Sequence, residues 1–234
     1  MRTRITRIVT CVAALAAVAP ATAEAQAPTG GAEAPSSAPS PFALSGGGNA
    51  LLGRMVRFRG TVERRLAGRP VVVQSFDAVT QSWAPQARTT VQGDGTFVAG
   101  WRARRIGQFR TRAVIGGDGD AQSASASPEL PLTVFRPAIA TWYGPGLYGR
   151  QTACGLELTE ELVGVAHRSL PCGTNVAVRY GSRTLVLPVV DRGPYGSKAR
   201  WDLTAAAAQQ LGFTETDRIG AIRLGPPPAQ GSSR

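Results

Sequence analysis

Short apolar runs of alternating pattern, cut apart by turn residues, constrain this chain more than any other feature of its sequence. Arg54–Arg59 (RMVRFR) alternates apolar with basic, Pro70–Phe76 (PVVVQSF) is a β-branched run, and Gln108–Ile115 (QFRTRAVI) alternates strictly. Arg88–Gln92 leads into Gly93-Asp94-Gly95, Thr96–Trp101 follows, and Pro131–Phe135 closes the series. With 28 glycines and 17 prolines to supply turns, the pattern favours many short strands over a helical bundle. Six or seven such strands predict a β-sandwich, immunoglobulin-like or related, over residues 50–136.

Residues 137–225 read as a second compact unit. Ile139–Tyr143 is a strand that stops at Gly144-Pro145-Gly146. Asn175–Tyr180 and Thr184–Val190 form a hairpin around Gly181-Ser182-Arg183. Thr204 caps an alanine-rich helix, Ala205–Leu211, with Gly212 as its stop, and Ile219–Leu224 is a last strand.

The N-terminus has the anatomy of an export signal, assigned to residues 1–25. Arg2, Arg4 and Arg7 precede the apolar run Ile8–Ala19, and small residues with A-x-A spacing follow. No apolar run reaches the roughly 18 residues that would span a bilayer, so no transmembrane segment is expected after signal removal. Residues 26–49, rich in Ala, Pro, Ser and Gly, read as a flexible linker, and residues 226–234 as a disordered tail. Cys11 falls within the signal, which leaves Cys154 and Cys172. In an exported protein two cysteines suggest one disulfide, with two buried free thiols as the alternative.

Charge and composition exclude some chemistry. One histidine and three cysteines rule out a His-rich or four-cysteine metal centre, so neither metal nor cofactor is expected. The formal net charge is +11, of which +7 falls in residues 50–136. Those arginines form a solvated strand face or a surface for anionic wall polymer. No aromatic stacking series accompanies them, and nucleic acid is not expected as a partner.

Three segments carry groups able to do chemistry. TWYGPGLYGRQTACG (141–155) sets Trp142, Tyr143 and Tyr148 among glycines, where aromatic faces suit sugar rings. Packing over the core is the alternative, preferred for Trp142. LVLPVVDRGPYG (185–196) runs an apolar strand into Asp191. There partial desolvation favours the protonated carboxyl, Arg192 opposes it, and organising the following turn is the alternative role. Asp202 either lies near the positive end of the helix or faces the same cleft as Asp191. His167, the lone imidazole, either handles protons or is structural.

Together these segments resemble the barrel domain of the rare lipoprotein A (RlpA) family. Matching stretches are WYG-PG-YGR-TA-G (142–155), AH-SLP-GT (166–174), VVDRGP (189–194) and DLT-AAA-LG (202–212), in that order. The resemblance implies a six-stranded double-psi β-barrel with a short helix, exported to the cell envelope or wall, with peptidoglycan glycan strands as its partner. It implies lytic transglycosylation, with Asp191, Asp202 and His167 as catalytic residues. Tyr143, Tyr148, Thr152, Arg192, Tyr195 and Trp201 are the expected substrate contacts. The alternative is an expansin-like module that binds and loosens polysaccharide without cutting it, and a purely structural or interaction role is a third.

The sequence departs from the family in one loop. RlpA typically reads TASGE–FD there; this chain has Leu156 and Thr159 at the two acidic positions, with Glu157 and Glu160 one residue away. The departure bears on cleavage more than on sugar binding. Cys154 stands where the family has Ser and Cys172 where it often has Phe, so a disulfide between them would pin the groove wall beside His167. The repeat domain that usually follows the RlpA barrel is not found here, and the basic β-sandwich is a candidate substitute for wall binding.

Overall fold

The computed structural model describes residues 42–78, 80–116 and 125–225. The expected signal with Cys11, most of the linker and the 226–234 tail lie outside the described residues. In chain order the strands are β1 (Ala43–Gly46), β2 (Gly48–Leu51), β3 (Met55–Thr61), β4 (Pro70–Asp77), β5 (Ser82–Thr90), β6 (Thr96–Arg102), β7 (Gly107–Ile115), β8 (Ser125–Ala126), β9 (Leu130–Tyr143), β10 (Val165–Ala166), β11 (Asn175–Tyr180), β12 (Arg183–Asp191), β13 (Trp201–Thr204) and β14 (Asp217–Arg223). Among the described residues there is one α-helix, α1 (Ala205–Leu211), which follows β13 directly, and one 3-10 turn at Arg64–Leu66.

Two sheets share the N-terminal core: β1-β3-β6, and β2-β9-β7-β4-β5 with β8 on β7. Alternation drives this packing. In β3 Val56 and Phe58 point inward while Met55, Arg57 and Arg59 point out; β6 turns Phe97, Ala99 and Trp101 to the same interior. Val71, Val73, Ala113, Ile115, Leu132 and Val134 meet them from the second sheet.

The linker expectation differs from the structure at its end, since β1 and β2 lie within residues 26–49 and just beyond. Phe42 is the anchor, buried edge-on against Phe97 at 6.0 Å. With that ring in the core, a stretch of small residues gains order by backbone pairing: Ala43–Gly46 with β3, and Gly48–Leu51 alongside β9.

The C-terminal unit is a closed six-stranded barrel. Its ring runs β9-β13-β10-β12-β11-β14 and returns to β9. Two of the pairings, β9–β13 and β10–β12, are parallel. Val165, Val176, Leu187, Val189, Leu203, Leu211 and Ile219 fill its core. The hairpin expected at Gly181-Ser182 forms, with Tyr180 opposite Arg183. Thr204 caps α1 by accepting from the Ala207 amide, and Gly212 ends it in the left-handed conformation.

No break separates the two units. Pro131–Phe135 and Ile139–Tyr143, read as separate strands from the sequence, are parts of the single 14-residue β9. Its first part pairs with β7 and β2, and its second with β14 and β13. Among the described residues no helix is long and apolar enough to cross a membrane.

Candidate functional site

β10 is only two residues long, yet it brings the two acidic segments together. Ala166 lies opposite Asp191 of β12 on one side and opposite Asp202 of β13 on the other, and Asp202 in turn lies opposite Thr141 of β9. At the usual strand spacing the two aspartates sit about 10 Å apart at Cα, with the small Ala166 between them. Leu187 and Val189 point into the core, and Asp191 ends that row half-buried at the barrel rim. A register slip between Val165 and Ala166 brings it level with Asp202, the kind of irregularity that re-aims a side chain.

The two carboxylates are held differently. Asp191 Oδ1 accepts the backbone N–H of Ala153 and of Arg192, each at 2.8 Å, which fixes its orientation. Asp202 Oδ1 accepts the Thr141 hydroxyl at 2.7 Å. Burial raises the Asp202 pKa above the ordinary carboxylate value; the charge of Asp191 adds to the rise and the Thr141 hydrogen bond opposes it. The Tyr143 hydroxyl is buried with no hydrogen-bond partner of good geometry. Its pKa is pushed up first by burial, then by the charges of Asp191 and Asp202, and by a weaker approach to Asp191 as acceptor. One phenol thus senses both acids.

His167 is 6% exposed, and its Nδ1 accepts the amides of Ser169 (3.2 Å) and Leu170 (3.1 Å). That geometry assigns the ring proton to Nε2. Burial, then Arg200, Arg168 and Arg192, lower its pKa, which favours the neutral ring. Its backbone N–H donates to the Asp191 carbonyl at 3.2 Å. His167 therefore braces the 167–170 turn and the end of β12.

The expected substrate contacts differ in exposure and in what they touch. Trp201 is 5% exposed and lies in the barrel core with its ring 4.4 Å from that of His167, so it is a packing residue. Thr152 is buried, and its hydroxyl accepts the Leu156 amide within a turn. Arg192 is half-buried and donates to the Leu170 carbonyl at 2.9 Å, while Tyr195 is 72% exposed. Trp142, read as core cover, is 40% exposed. It continues the inward row of Ala138 and Ala140, but β9 outruns the core, and its indole N–H donates to the Thr214 carbonyl at 3.1 Å.

Trp142 and Tyr148 line a cleft of about 750 Å³ beside α1, with Glu160, Glu161, Gln209 and Phe213. Neither aspartate lines it: strand alternation turns Thr141 and Tyr143 toward Asp202 and Trp142 to the other face of β9. Burial raises the pKa of Asp202 in the aspartate row, whereas Glu160 and Glu161 of the cleft stand exposed. Gly144 joins the two regions. A Cβ there would lie 2.9 Å from both the Ala205 Cβ and the Tyr148 hydroxyl, at a φ of 156°.

Cys154 and Cys172 form a disulfide with Cα atoms 5.7 Å apart. It ties the 151–157 loop, whose Ala153 amide holds Asp191, to the turn after His167. Thr141, Ala153 and Arg168 escaped the sequence reading. Arg168 donates to the carbonyls of Pro194, Ser197 and Ala199 at 2.5–3.0 Å and so shapes the loop after Asp191. Among the described residues no three metal-ligating side chains gather into one group.

A family profile described as lytic transglycolase matches residues 137–224, the closed barrel. Residues 137–224 form an RlpA-like double-psi β-barrel. Similar proteins include a Synechocystis protein named "Probable endolytic peptidoglycan transglycosylase RlpA", 42% identical over 92 residues, 38% of this chain and 28% of that one. An Aquifex aeolicus protein of the same name is 43% identical over 76 residues, 32% of this chain and 34% of that one. A Rickettsia bellii protein named "Endolytic peptidoglycan transglycosylase RlpA" is 30% identical over 104 residues, 42% of this chain and 46% of that one. The chain thus spans between about a quarter and a half of these relatives' length. In the loop where this RlpA-like barrel departs from the family pattern, Leu156 is 44% exposed and Glu160 reaches the cleft rim.

Proposed function

We propose that this chain is an exported cell-envelope protein whose barrel binds peptidoglycan glycan strands and cleaves them as a lytic transglycosylase. The observation that carries this reading is the pairing of Asp202, whose pKa burial raises, with an Asp191 fixed by two amides. The names of the relatives support the substrate class.

In this mechanism the Asp202 carboxyl donates its proton to the glycosidic oxygen as the sugar C1–O bond breaks. The 6-hydroxyl of the same sugar attacks C1, forms the 1,6-anhydro ring, and returns its proton to Asp202. No water is consumed. Asp191 stabilises the positive charge that develops at C1. Tyr143 borders both carboxylates, and His167 positions Asp191 through the backbone contact with its carbonyl. Trp142 and Tyr148 offer aromatic faces to the strand beyond the reacting bond.

The exposed Leu156 in place of a family acid favours a second reading, an expansin-like grip without cleavage. Incubation with amidase-stripped peptidoglycan, read by mass spectrometry, separates the two. Anhydro-ended fragments that vanish in Asp202→Asn and Asp191→Asn support cleavage. Sedimentation with the glycan and no such fragments supports the second reading.

A further inference from the structure

Four arginines at the seam between sandwich and barrel form no ion pair with a carboxylate among the described residues. Arg54, Arg57 and Arg179 line a recess of about 350 Å³, and Arg54, Arg57 and Arg102 line a second of about 460 Å³. The two recesses share Arg54, Met55 and Arg57, so they adjoin. Among the described residues no acidic and no aromatic side chain lines either one. Among the described residues the ion pairs engage Arg65, Arg105 and Arg110, and none of these four.

The local structure explains the cluster. Arg57 and Arg102 lie on neighbouring strands β3 and β6, where Met55 is opposite Arg102 and Arg57 opposite Gly100. Gly100 has no side chain to cover the Arg57 guanidinium. Arg179 arrives from β11 of the barrel, and its Nε is buried without a hydrogen-bond partner. Arg102 spends one donor on the Gly53 carbonyl at 3.0 Å. Like charges gathered this closely repel, and an unpaired buried N–H costs stability, so the seam is stabilised by whatever supplies acceptor oxygens.

We propose that this seam binds a polyanion bearing successive phosphate groups, one in each recess, bridged by Arg54 and Arg57. Guanidinium forks match phosphate oxygens with paired hydrogen bonds, and two adjoining recesses suit a chain better than a lone ion. Among the described residues no aromatic ring lines the recesses to stack a base, which favours a phosphate chain over nucleic acid. Because Arg179 belongs to the barrel and the others to the sandwich, an occupied seam clamps the two units together. The site is independent of the aspartate row and holds whether or not the barrel cleaves glycan.

The test is calorimetric titration of the whole chain with long-chain inorganic polyphosphate, against orthophosphate and polyglutamate at equal charge. Polyphosphate binds tightest, and its affinity falls with salt. Arg54→Gln with Arg57→Gln weakens binding by at least about tenfold, as loss of charge-assisted hydrogen bonds requires. The salt slope drops by about one for each arginine removed. Arg88→Gln, on β5 outside both recesses, leaves affinity within about twofold. Retained affinity in the double variant overturns the site, as does equal loss in Arg88→Gln. Polyglutamate binding as tightly overturns the phosphate assignment, and orthophosphate binding as tightly overturns the chain. Each variant is compared at matched folded fraction by circular dichroism.

Discussion

Replacing Cys154 and Cys172 together by serine tests how the groove is held. The bridge spans a sequence separation of 18 residues. Chain-entropy loss for a loop of that length predicts about 3 kcal/mol of stabilisation. The continuous β9 couples barrel to sandwich, so the whole folded unit responds, and that loss lowers the melting temperature by roughly 6–12 °C. Differential scanning calorimetry of wild type and Cys154→Ser/Cys172→Ser measures it. The local effect is more specific. Ala153, next to the bridge, supplies one of the two amides that hold Asp191. Freeing that loop lets the carboxylate turn, so release of anhydro-ended glycan falls more steeply than the folded fraction does. A melting temperature within a degree or two of wild type, with unchanged turnover, would refute the reasoning. The loop would then be held by its own hydrogen bonds, Gly149 to Leu158 and Thr152 to Leu156 among them.

Further outcomes follow from the same contacts. The folded state holds the Asp202 proton more tightly than the unfolded chain does, so ionised Asp202 costs stability above its folded pKa and nothing below the ordinary carboxylate range. Asp202→Asn accordingly stabilises the fold at neutral pH, a gain that urea unfolding shows to vanish on acidification, while cleavage is lost. His167 is shifted the other way. Its stabilisation is full above the ordinary imidazole value of 6.5 and is lost as pH falls through its lowered folded value, a slope absent in His167→Asn. His167→Ala strands the Ser169 and Leu170 amides and costs about 2 kcal/mol by chemical denaturation. Trp201→Ala costs about 3–5 kcal/mol, as truncating a buried core aromatic does. Tyr195→Ala, at an exposed position, changes stability by less than about 0.5 kcal/mol.

The elements that were legible in the sequence are those with a local cause. Alternation marks β3 and β7, Gly181-Ser182 marks its hairpin, and Thr204 with Gly212 brackets α1, because each signal lies within a few residues of what it specifies. What stayed hidden depends on partners far along the chain. β10 is two residues with no pattern of its own, yet its pairing on both sides is what sets Asp191 beside Asp202. β1 and β2 look like spacer, since their order comes from Phe42 in the core and from the backbones of β3 and β9. Trp142 and Trp201 exchanged places relative to expectation. An aromatic at a strand end is exposed or buried according to where the core stops, which no local pattern records. Thr141 escaped notice because a threonine in a strand carries no chemical signal until its hydroxyl meets an acid.

The most direct test of the central claim is the titration of Asp202 itself, by carbon NMR of its carboxyl in wild type and in Asp191→Asn. Convergence of the two acids predicts a value above the ordinary carboxylate range that moves down when the Asp191 charge is removed. An ordinary value, indifferent to that substitution, would contradict it.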